Sequence, residues 1–580
     1  MAARLLLILL LATTAAPRAQ RPQRAALGPA DVDHIARLLM IEDARRFDEA
    51  LLDETLRSSH LEVRRRAAIA IGRLADERGL GLLQRATTDA AIAREVAFAY
   101  GQLRNNAGVA WLAGRLTAPT VPPDVRREAA RSLGKIRTPD ARAALETFLS
   151  ASTTSSAAVG EALLSIGRFT EDGADLAPIR KWSHAPAGAG SVAWQAAWAL
   201  YRPRDPAAVP DLLRLSSHAD PEVRFWAVRG LAAAPDDVTP VVDETTLSAR
   251  LREAVRDPDR RVRTEALRAL ATYHDDASFQ IVLDALDAPD TWLSVSAAEA
   301  MARHESRRDE IVPRLVAASA ADRPTWLRVA ALSALSELAP EAAVELAVSL
   351  TEATSVVARQ AARQALGRLG DAGRARLESL PVDPDVPNPA PRGAGAGRGG
   401  RGRAARGGGA ARGGAPAPDT LGRTIDDYRR IARRWVVDQW NGNPAPVTVW
   451  DTPRGTIEIE LHAAEAPLAL EYLVRAVESG AVVGTEFGRL VPNFVAQQRT
   501  IANAPRLRDE INLIGLNRGT LAWASAGLDT GRPGYTLGHT PQPHNEGDFT
   551  ALGHVIRGLE VVDRLELGDV ITAARLRLPD

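Results

Sequence analysis

Small apolar residues recur at helical spacing through most of the chain, and the whole pattern repeats. The segments "LEVRRRAAIAIGRL", "PPDVRREAARSLGKI" and "DPEVRFWAVRGL" share one layout: a valine is followed at once by arginine and four residues later by alanine. Ten anchor positions with this or a weaker layout are 29 to 39 residues apart: Val63, Ile92, Val125, Ala158, Val192, Val223, Val262, Leu293, Leu327 and Val357. Such a period predicts a solenoid of helix pairs over residues 31–380.

Aspartate-proline pairs precede two of the clearest copies. Asp220-Pro221 and Asp257-Pro258 each predict a capping carboxylate followed by proline in the first turn of a helix. The repeated segments resemble the HEAT-like repeats of the short bacterial type. That resemblance implies a curved superhelix whose concave face holds a protein partner.

Polar and aromatic residues beside the anchors are expected to be structural. The positions concerned are Arg64, Arg126, Arg224, Arg263, Trp292 and Trp326. We predict ion pairs and caps between repeats for the arginines, and packing against neighbouring repeats for the tryptophans.

Residues 381–418 interrupt the helical pattern. They contain only two bulky apolar side chains, both valines, among glycine, proline and arginine, so a flexible linker is predicted. The arginine-glycine alternation raises RNA binding as a distant alternative, but no aromatic residue interleaves to stack on bases. Beyond it, "DDYRRIARRWVVDQW" predicts a connecting helix within 419–446 that ends at "NGNPAP".

From Val447 the apolar period changes from helical to alternating. "GTIEIEL" alternates apolar residues with glutamates and predicts a half-buried strand, and "APLALEYLVRAVESG" predicts a helix closed by glycine. "EFGRLVPNFVAQQ" and "RGTLAWASAG" predict further short strands.

This order of segments resembles the cyclophilin-type peptidyl-prolyl cis–trans isomerases over residues 447–580. The family pattern F-H-R-V-V-P-x-F-V-x-Q-G-G-D is matched by "FGRLVPNFVAQQRT", and its R-D-E-F and R-G-T-x-x-M-A segments by "RDEI" and "RGTLAWA". The resemblance implies a closed eight-stranded antiparallel β-barrel with two capping helices. The predicted fold class is therefore an all-α HEAT-like solenoid joined to a cyclophilin-like barrel.

The resemblance also assigns residues to a reaction. Rotation of an X–Pro bond meets a barrier of about 18–20 kcal/mol, and at the twisted transition state the proline nitrogen becomes a hydrogen-bond acceptor. A guanidinium fixed over the proline can donate to that nitrogen in the twisted state alone, with no metal or cofactor. The resemblance gives Arg489, Phe494 and Gln497 the catalytic roles. It gives substrate contacts to Val495, Ala524, Ser525, Tyr535, Thr536, His544 and Phe549.

The sequence departs from the family pattern at several of these positions. Gly488 replaces a histidine, Ser525 an asparagine, Gly534 a glutamine and Thr536 a phenylalanine, while "QRT" replaces glycine-glycine-aspartate. Each lost contact costs about 1–3 kcal/mol, so reduced activity is expected. Two alternatives stay open: an isomerase for client proteins with the repeats as docking scaffold, or a catalytically weak or silent module that binds proline segments.

Charge and the N-terminus define the expected environment. The chain of 580 residues has 72 basic and 72 acidic side chains, so no net field favours nucleic acid or an anionic membrane. It has no cysteine, which excludes disulfides and thiol chemistry. Residues 1–19 combine Arg4, a leucine-rich run too short to span a bilayer and small residues, as in a bacterial signal peptide. We therefore expect an exported protein, periplasmic or secreted, with no membrane span.

Overall fold

Two layers of antiparallel helices form the N-terminal part of the molecule. The computed structural model describes residues 25–169, 175–234, 239–386 and 420–578. The inner layer consists of α1 Pro29–Asp43, α3 Leu61–Leu74, α5 Ala93–Leu103, α7 Pro123–Ile136, α9 Ala157–Ile166, α11 Ala193–Tyr201, α13 Pro221–Arg229, α15 Arg260–Leu270, α17 Thr291–Ala300, α19 Thr325–Leu338 and α21 Val356–Leu366. The outer layer consists of α2 Glu49–Leu56, α4 Leu80–Ala86, α6 Val109–Thr117, α8 Pro139–Ala151, α10 Ala177–Ser183, α12 Val209–Leu215, α14 Glu244–Ala254, α16 Asp276–Asp284, α18 Arg308–Ala318, α20 Pro340–Leu350 and α22 Gly370–Ser379. All ten anchors lie in, or directly before, inner-layer helices, and the predicted helical array is confirmed.

Small residues let successive inner-layer helices approach closely. A Cβ atom added to Gly134 of α7 would lie 2.5 Å from the Cβ of Ser165 in α9, and one added to Gly101 of α5 would lie 2.8 Å from that of Ser132. Larger side chains at these two glycines would push the helices apart. The short side chains noted in the sequence therefore set the spacing of the stack.

One of the two predicted helix caps is confirmed and the other is displaced. Asp220 accepts the main-chain N–H of Glu222 at 2.9 Å and caps α13. The prediction for Asp257 was wrong, because α15 begins later and is capped by Asp259. Asp257 instead makes a two-point ion pair with Arg224, at 2.8 and 2.9 Å, which engages both of its oxygens.

The polar residues beside the anchors are structural, as predicted. Arg64 pairs with Asp89 of the next repeat at 2.7 Å, and the other three arginines bond carboxylates or main-chain carbonyls of the array. Trp326 is buried within the array. Trp292 is buried too, but its ring packs against His539 of the C-terminal domain, with the centroids 4.7 Å apart.

The segment after α22 first follows the last repeat. Residues 381–386 lie against α21, where Arg359 pairs with Asp383 at 2.7 Å. The rest of the predicted linker, 387–418, lies outside the described residues, as does the predicted signal peptide. None of the described helices is both long and apolar enough to cross a bilayer.

The predicted connecting helix returns the chain to the first repeat. It runs through α23 Ile425–Ile431, a wider π turn and α24 Asp438–Trp440. The Tyr428 hydroxyl donates to Asp43 of α1 at 2.8 Å, and the Trp440 indole donates to the carbonyl of Ala25 at 2.7 Å. The domain that follows therefore starts beside the first repeat.

The C-terminal domain is one antiparallel sheet of eight strands that curls on itself. The strands are β1 Val447–Thr452, β2 Gly455–Leu461, β3 Phe487–Val491, β4 Val495–Gln498, β5 Thr520–Trp523, β6 Tyr535–Gly538, β7 Ala551–Arg557 and β8 Ala573–Arg577. Their order in the sheet is β3-β4-β6-β5-β7-β2-β1-β8, and a bridge between Glu486 and Val570 brings the two edges together. Of the two predicted helices, α25 Pro467–Glu478 has three turns, while α26 Leu559–Val562 has one.

The inner layer of the array surrounds this C-terminal domain. Hydrogen bonds join the array to the domain along its length. They connect Arg73 with Ile511, Arg131 with Leu513, Arg168 with Pro543, Arg268 with Pro492 and Val356 with Glu486. Because one small domain touches helices from α3 to α21, the row of helices must curve around it. The concave face, for which a protein partner is predicted, holds the chain's own C-terminal domain.

Buried charges and apolar side chains connect the two parts. The Arg131 guanidinium lies 2.9 Å from Glu161 and 3.3 Å from Glu546 of the C-terminal domain, and all three side chains are buried. These carboxylates hold the pKa of Arg131 well above its usual value despite burial. Ile69 and Phe98 of the array pack with the domain's Ile511 and Leu513 in a separate apolar cluster.

Candidate functional site

A row of side chains crosses four neighbouring strands on the outer face of the C-terminal domain. Arg489 of β3 is paired with Gln497 of β4, Gln497 with Thr536 of β6, and Thr536 with Ala522 of β5. Residues paired directly across antiparallel strands point to the same face of the sheet. Strand pairing thus brings Arg489 and Gln497 together with Thr536, which lies much farther along the chain.

Arg489 is the charged member of this row. Its guanidinium donates to the Gln497 side-chain oxygen at 3.3 Å and lies 5.7 Å from the centroid of the Phe494 ring. Partial burial lowers its pKa, and in the described part of the chain no carboxylate contributes to that shift. An arginine stays protonated in any such setting. The site therefore presents a positive donor that is free of an acidic partner among the described groups.

Phe494 is held by the tight turn between β3 and β4. Asn493 takes a left-handed backbone conformation there (φ 61°), which asparagine tolerates better than most residues. The Phe494 carbonyl accepts hydrogen bonds from the His539 main chain and the Gln542 side chain, both at 3.0 Å. Its half-buried ring stacks on His544 with the centroids 6.2 Å apart. The ring is thus fixed from its own backbone and from a neighbouring loop.

Comparisons with known proteins agree with this geometry. The family described as "Cyclophilin type peptidyl-prolyl cis-trans isomerase/CLD" matches residues 447–578. A peptidyl-prolyl cis-trans isomerase of Helicobacter pylori is 33% identical over 130 residues, which are 21% of this chain and 80% of that protein. Peptidyl-prolyl cis-trans isomerase B of Bacillus subtilis is 33% identical over 128 residues, 21% of this chain and 90% of that protein.

This chain belongs to the cyclophilin-type peptidyl-prolyl cis–trans isomerase family. The family description for HEAT repeats matches residues 81–164. A solved cyclophilin-type isomerase of Cryptosporidium parvum, crystallised in the presence of the dipeptide Ala-Pro, is similar over 23% of this chain and 98% of its own, with 21% identity and a TM-score of 0.22.

Three of the remaining predicted site residues are partly exposed, and one, Val495, is buried. Ala524 and Ser525 are half-buried just beyond β5, and Phe549 packs beside Ala522 in a small apolar cluster. Val495 shares the face of Gln497 but is only 4% exposed, so little of it is available to a substrate.

Tyr535 does not belong to the site, and its predicted role as a substrate contact is corrected. Its side chain is 1% exposed and lies in the barrel core, between the rings of Trp450 and Trp523, at 5.9 and 5.5 Å. Neighbouring residues of a strand point to opposite faces. Since Thr536 faces the site, Tyr535 must face the core.

Two departures from the family pattern have causes in the packing. A Cβ atom on Gly488 would lie 2.4 Å from the Arg499 side chain and 3.2 Å from Val357 of α21. One on Gly534 would lie 3.2 Å from the Cα of Thr500. A histidine at position 488 would therefore overlap with the Arg499 side chain of "QRT" and crowd Val357 of the array, and a glutamine at position 534 would crowd the backbone of Thr500.

The array contributes residues beside the site that sequence reasoning missed. A cavity of about 250 Å³ lies between Phe494 and His544 on one side and the inner layer on the other. The array residues lining it are Trp198, Tyr201, Arg202, Trp226, Arg229 and Arg268. One signal was available: only 4% of the chain is aromatic, yet α11 and α13 concentrate five large aromatic residues. Nothing local tied those helices to the cyclophilin domain.

Proposed function

We propose that this chain is an exported peptidyl-prolyl cis–trans isomerase of reduced activity. One observation carries the proposal: the Arg489 guanidinium stands 5.7 Å from the Phe494 ring centroid, on the outer face of the domain, with Gln497 beside it. An apolar ring can support the pyrrolidine of proline. A charged donor above that ring is the group that rotation about the X–Pro bond needs.

The reaction needs only differential hydrogen bonding. In the planar ground state the proline nitrogen shares its electron pair with the carbonyl group, and it regains that pair as the bond twists. Arg489 then donates a hydrogen bond that the ground state cannot accept, which lowers the barrier. We expect Gln497, which is paired with Arg489, and the half-buried Ser525 to bind the peptide main chain while the proline turns.

Reduced activity follows from the row across the sheet. Thr536 occupies the position where the family has a phenylalanine, so the proline pocket has one aromatic wall fewer, and Gly534 offers no side-chain amide. The same loss supports the second candidate function, a module that binds proline segments with little turnover. Each missing contact costs about 1–3 kcal/mol.

Export and partners belong to the same proposal. Because residues 1–19 resemble a signal peptide, the proposed substrates are proline-containing proteins outside the cytoplasm. Fractionation should find mature chains beginning near Gln20 in the periplasm or medium, and full-length chains in the cytosol would contradict export. The array holds the cyclophilin domain on its inner face, so a separate protein partner would have to use its outer layer.

A prolyl exchange assay on the full chain tests the activity. A proline peptide exchanges over tens of seconds without catalyst, and the protein should shorten that time. Arg489→Ala should lower kcat/KM by about a hundredfold with little change in peptide Kd, because the lost bond forms mainly in the twisted state. Arg557→Ala, at an exposed arginine on β7, is the matched control. Peptide binding by the wild type with no faster exchange would establish the binding module instead.

A further inference from the structure

The cavity between the array and the cyclophilin domain adjoins the proposed proline site. Phe494, the ring proposed to support the proline, lines this cavity, as does His544 stacked beside it. Its volume of about 250 Å³ is below the range of about 300–1,000 Å³ typical of small-molecule pockets. It therefore suits one side chain of a peptide that is already held on the domain.

Aromatic rings and guanidinium groups form a preorganised wall on the array side. The rings of Tyr201 and Trp226 stack with centroids 6.1 Å apart. Arg229 lies over both rings, at 5.5 and 5.6 Å, and pairs with Glu265 at 3.3 Å. Stacked guanidinium groups lose little conformational freedom when they bind an anion.

The lining chemistry favours a negatively charged occupant. Three arginines line the cavity, and none of the described residues that line it is an aspartate or a glutamate. The fully buried Trp198 also lines it. Guanidinium groups form charge-assisted hydrogen bonds with carboxylates, so an acidic side chain that enters the cavity would meet matching donors in its wall.

We infer that this cavity binds an aspartate or glutamate side chain next to the isomerised proline, so that the repeat array sets the substrate preference of the cyclophilin domain. The inference rests on the proposed function, because the peptide must lie on Phe494 for its neighbouring residue to reach the cavity. It gives the array a direct part in substrate recognition, in addition to holding the domain.

Short peptides that differ at one residue test this on the full chain. Glutamate, glutamine or lysine is placed directly before or directly after a single proline, and kcat/KM is measured by exchange spectroscopy. At one of the two positions we expect a preference of about tenfold for glutamate over glutamine, as for a charge-assisted hydrogen bond, and discrimination against lysine. The preference should weaken as salt concentration rises.

Variants of the wall identify the source of the preference. Arg202→Gln should lower the glutamate-to-glutamine ratio to below about threefold, and Arg229→Gln provides an independent second variant. Arg180→Gln is the matched control, because that arginine pairs with Asp211 on the outer layer and does not line the cavity. It should leave the ratio unchanged.

The outcomes separate the two proposals. If no peptide is isomerised, the proposed activity fails. The glutamate-to-glutamine ratio of Kd values, measured by titration calorimetry, then tests the inference. Equal kcat/KM and Kd for glutamate and glutamine peptides at both positions would overturn it. So would a glutamate preference that survives in both Arg202→Gln and Arg229→Gln.

Discussion

Asn493 of the cyclophilin domain donates its side-chain amide to the main-chain carbonyl of Arg261 in the array, at 2.9 Å. The same amide lies 3.1 Å from the buried carboxylate of Glu265. These bonds tie the turn that carries Phe494 to helix α15. The array therefore positions a proposed catalytic residue as well as surrounding the domain.

Asn493→Gly should loosen that turn. Glycine keeps the left-handed backbone but removes both bonds, so we expect a loss of about 1–2 kcal/mol in stability and a fall of about threefold to tenfold in kcat/KM. Urea unfolding and the exchange assay measure the two effects. Asn503→Gly is the control, since that exposed asparagine has a similar φ of 56°. Equal kcat/KM in both variants would show that the turn needs no support from the array.

Arg131→Met should destabilise the molecule strongly. It leaves the buried carboxylates of Glu161 and Glu546 without their shared partner, which costs about 3–5 kcal/mol for a buried pair. Arg127→Met is the control, because Arg127 lies 3.6 Å from Glu161 with nearly half of its side chain exposed. Chemical unfolding checks the difference, and similar losses in the two variants would contradict an interface held by the buried network.

Tyr535→Phe should leave the site unchanged, whereas Thr536→Phe should strengthen peptide binding. The Tyr535 hydroxyl is buried with no partner among the described residues, so its removal should leave kcat/KM unchanged and cost no stability. Thr536→Phe should rebuild an aromatic wall and tighten peptide Kd by about threefold to tenfold. The exchange assay and urea unfolding check the first prediction, and titration calorimetry with a proline peptide measures Kd for both variants. Weaker binding in Tyr535→Phe would contradict its place in the core.

Glu510 should make stability depend on pH. Its carboxyl is buried, and the oxygen that lies 3.8 Å from Arg73 accepts no hydrogen bond from the described residues. Burial raises its pKa to about 7, although Arg73 acts in the opposite direction. A carboxyl with a raised pKa in the folded state stabilises the fold when protonated. Its contribution is full below about pH 4.5 and is lost as pH rises through about 7.

Glu510→Gln should remove that dependence. The free energy of unfolding of the wild type should decline between about pH 4.5 and 7 by up to about 3 kcal/mol more than that of the variant. Urea unfolding across this range measures the difference. Glu458→Gln is the control, because that carboxylate lies in β2 and pairs with the exposed Arg577. A wild-type profile parallel to that of Glu510→Gln would mean that Glu510 is ionised throughout.

The sequence by itself determined the two architectures and the centre of the site. The anchors predicted the inner-layer helices, because helical periodicity is carried by residues within one or two turns of each other. The row of Arg489 and Gln497 followed from the family motif on two adjoining strands. Such patterns are local, so they can be read without knowing where distant segments lie.

Only the tertiary structure decided what surrounds that centre. Tyr535 and Thr536 are adjacent and both were predicted as contacts, but the pairing of β6 with its neighbours places one in the core. Gly488 lies against Val357 of the array as well as against Arg499, and the cavity wall lies at Trp198 and its neighbours, hundreds of residues from Phe494. These contacts depend on the curvature of the whole array, which is the sum of small rotations between successive repeats. No local pattern encodes the summed rotation, and that rotation brings the inner layer around the cyclophilin domain.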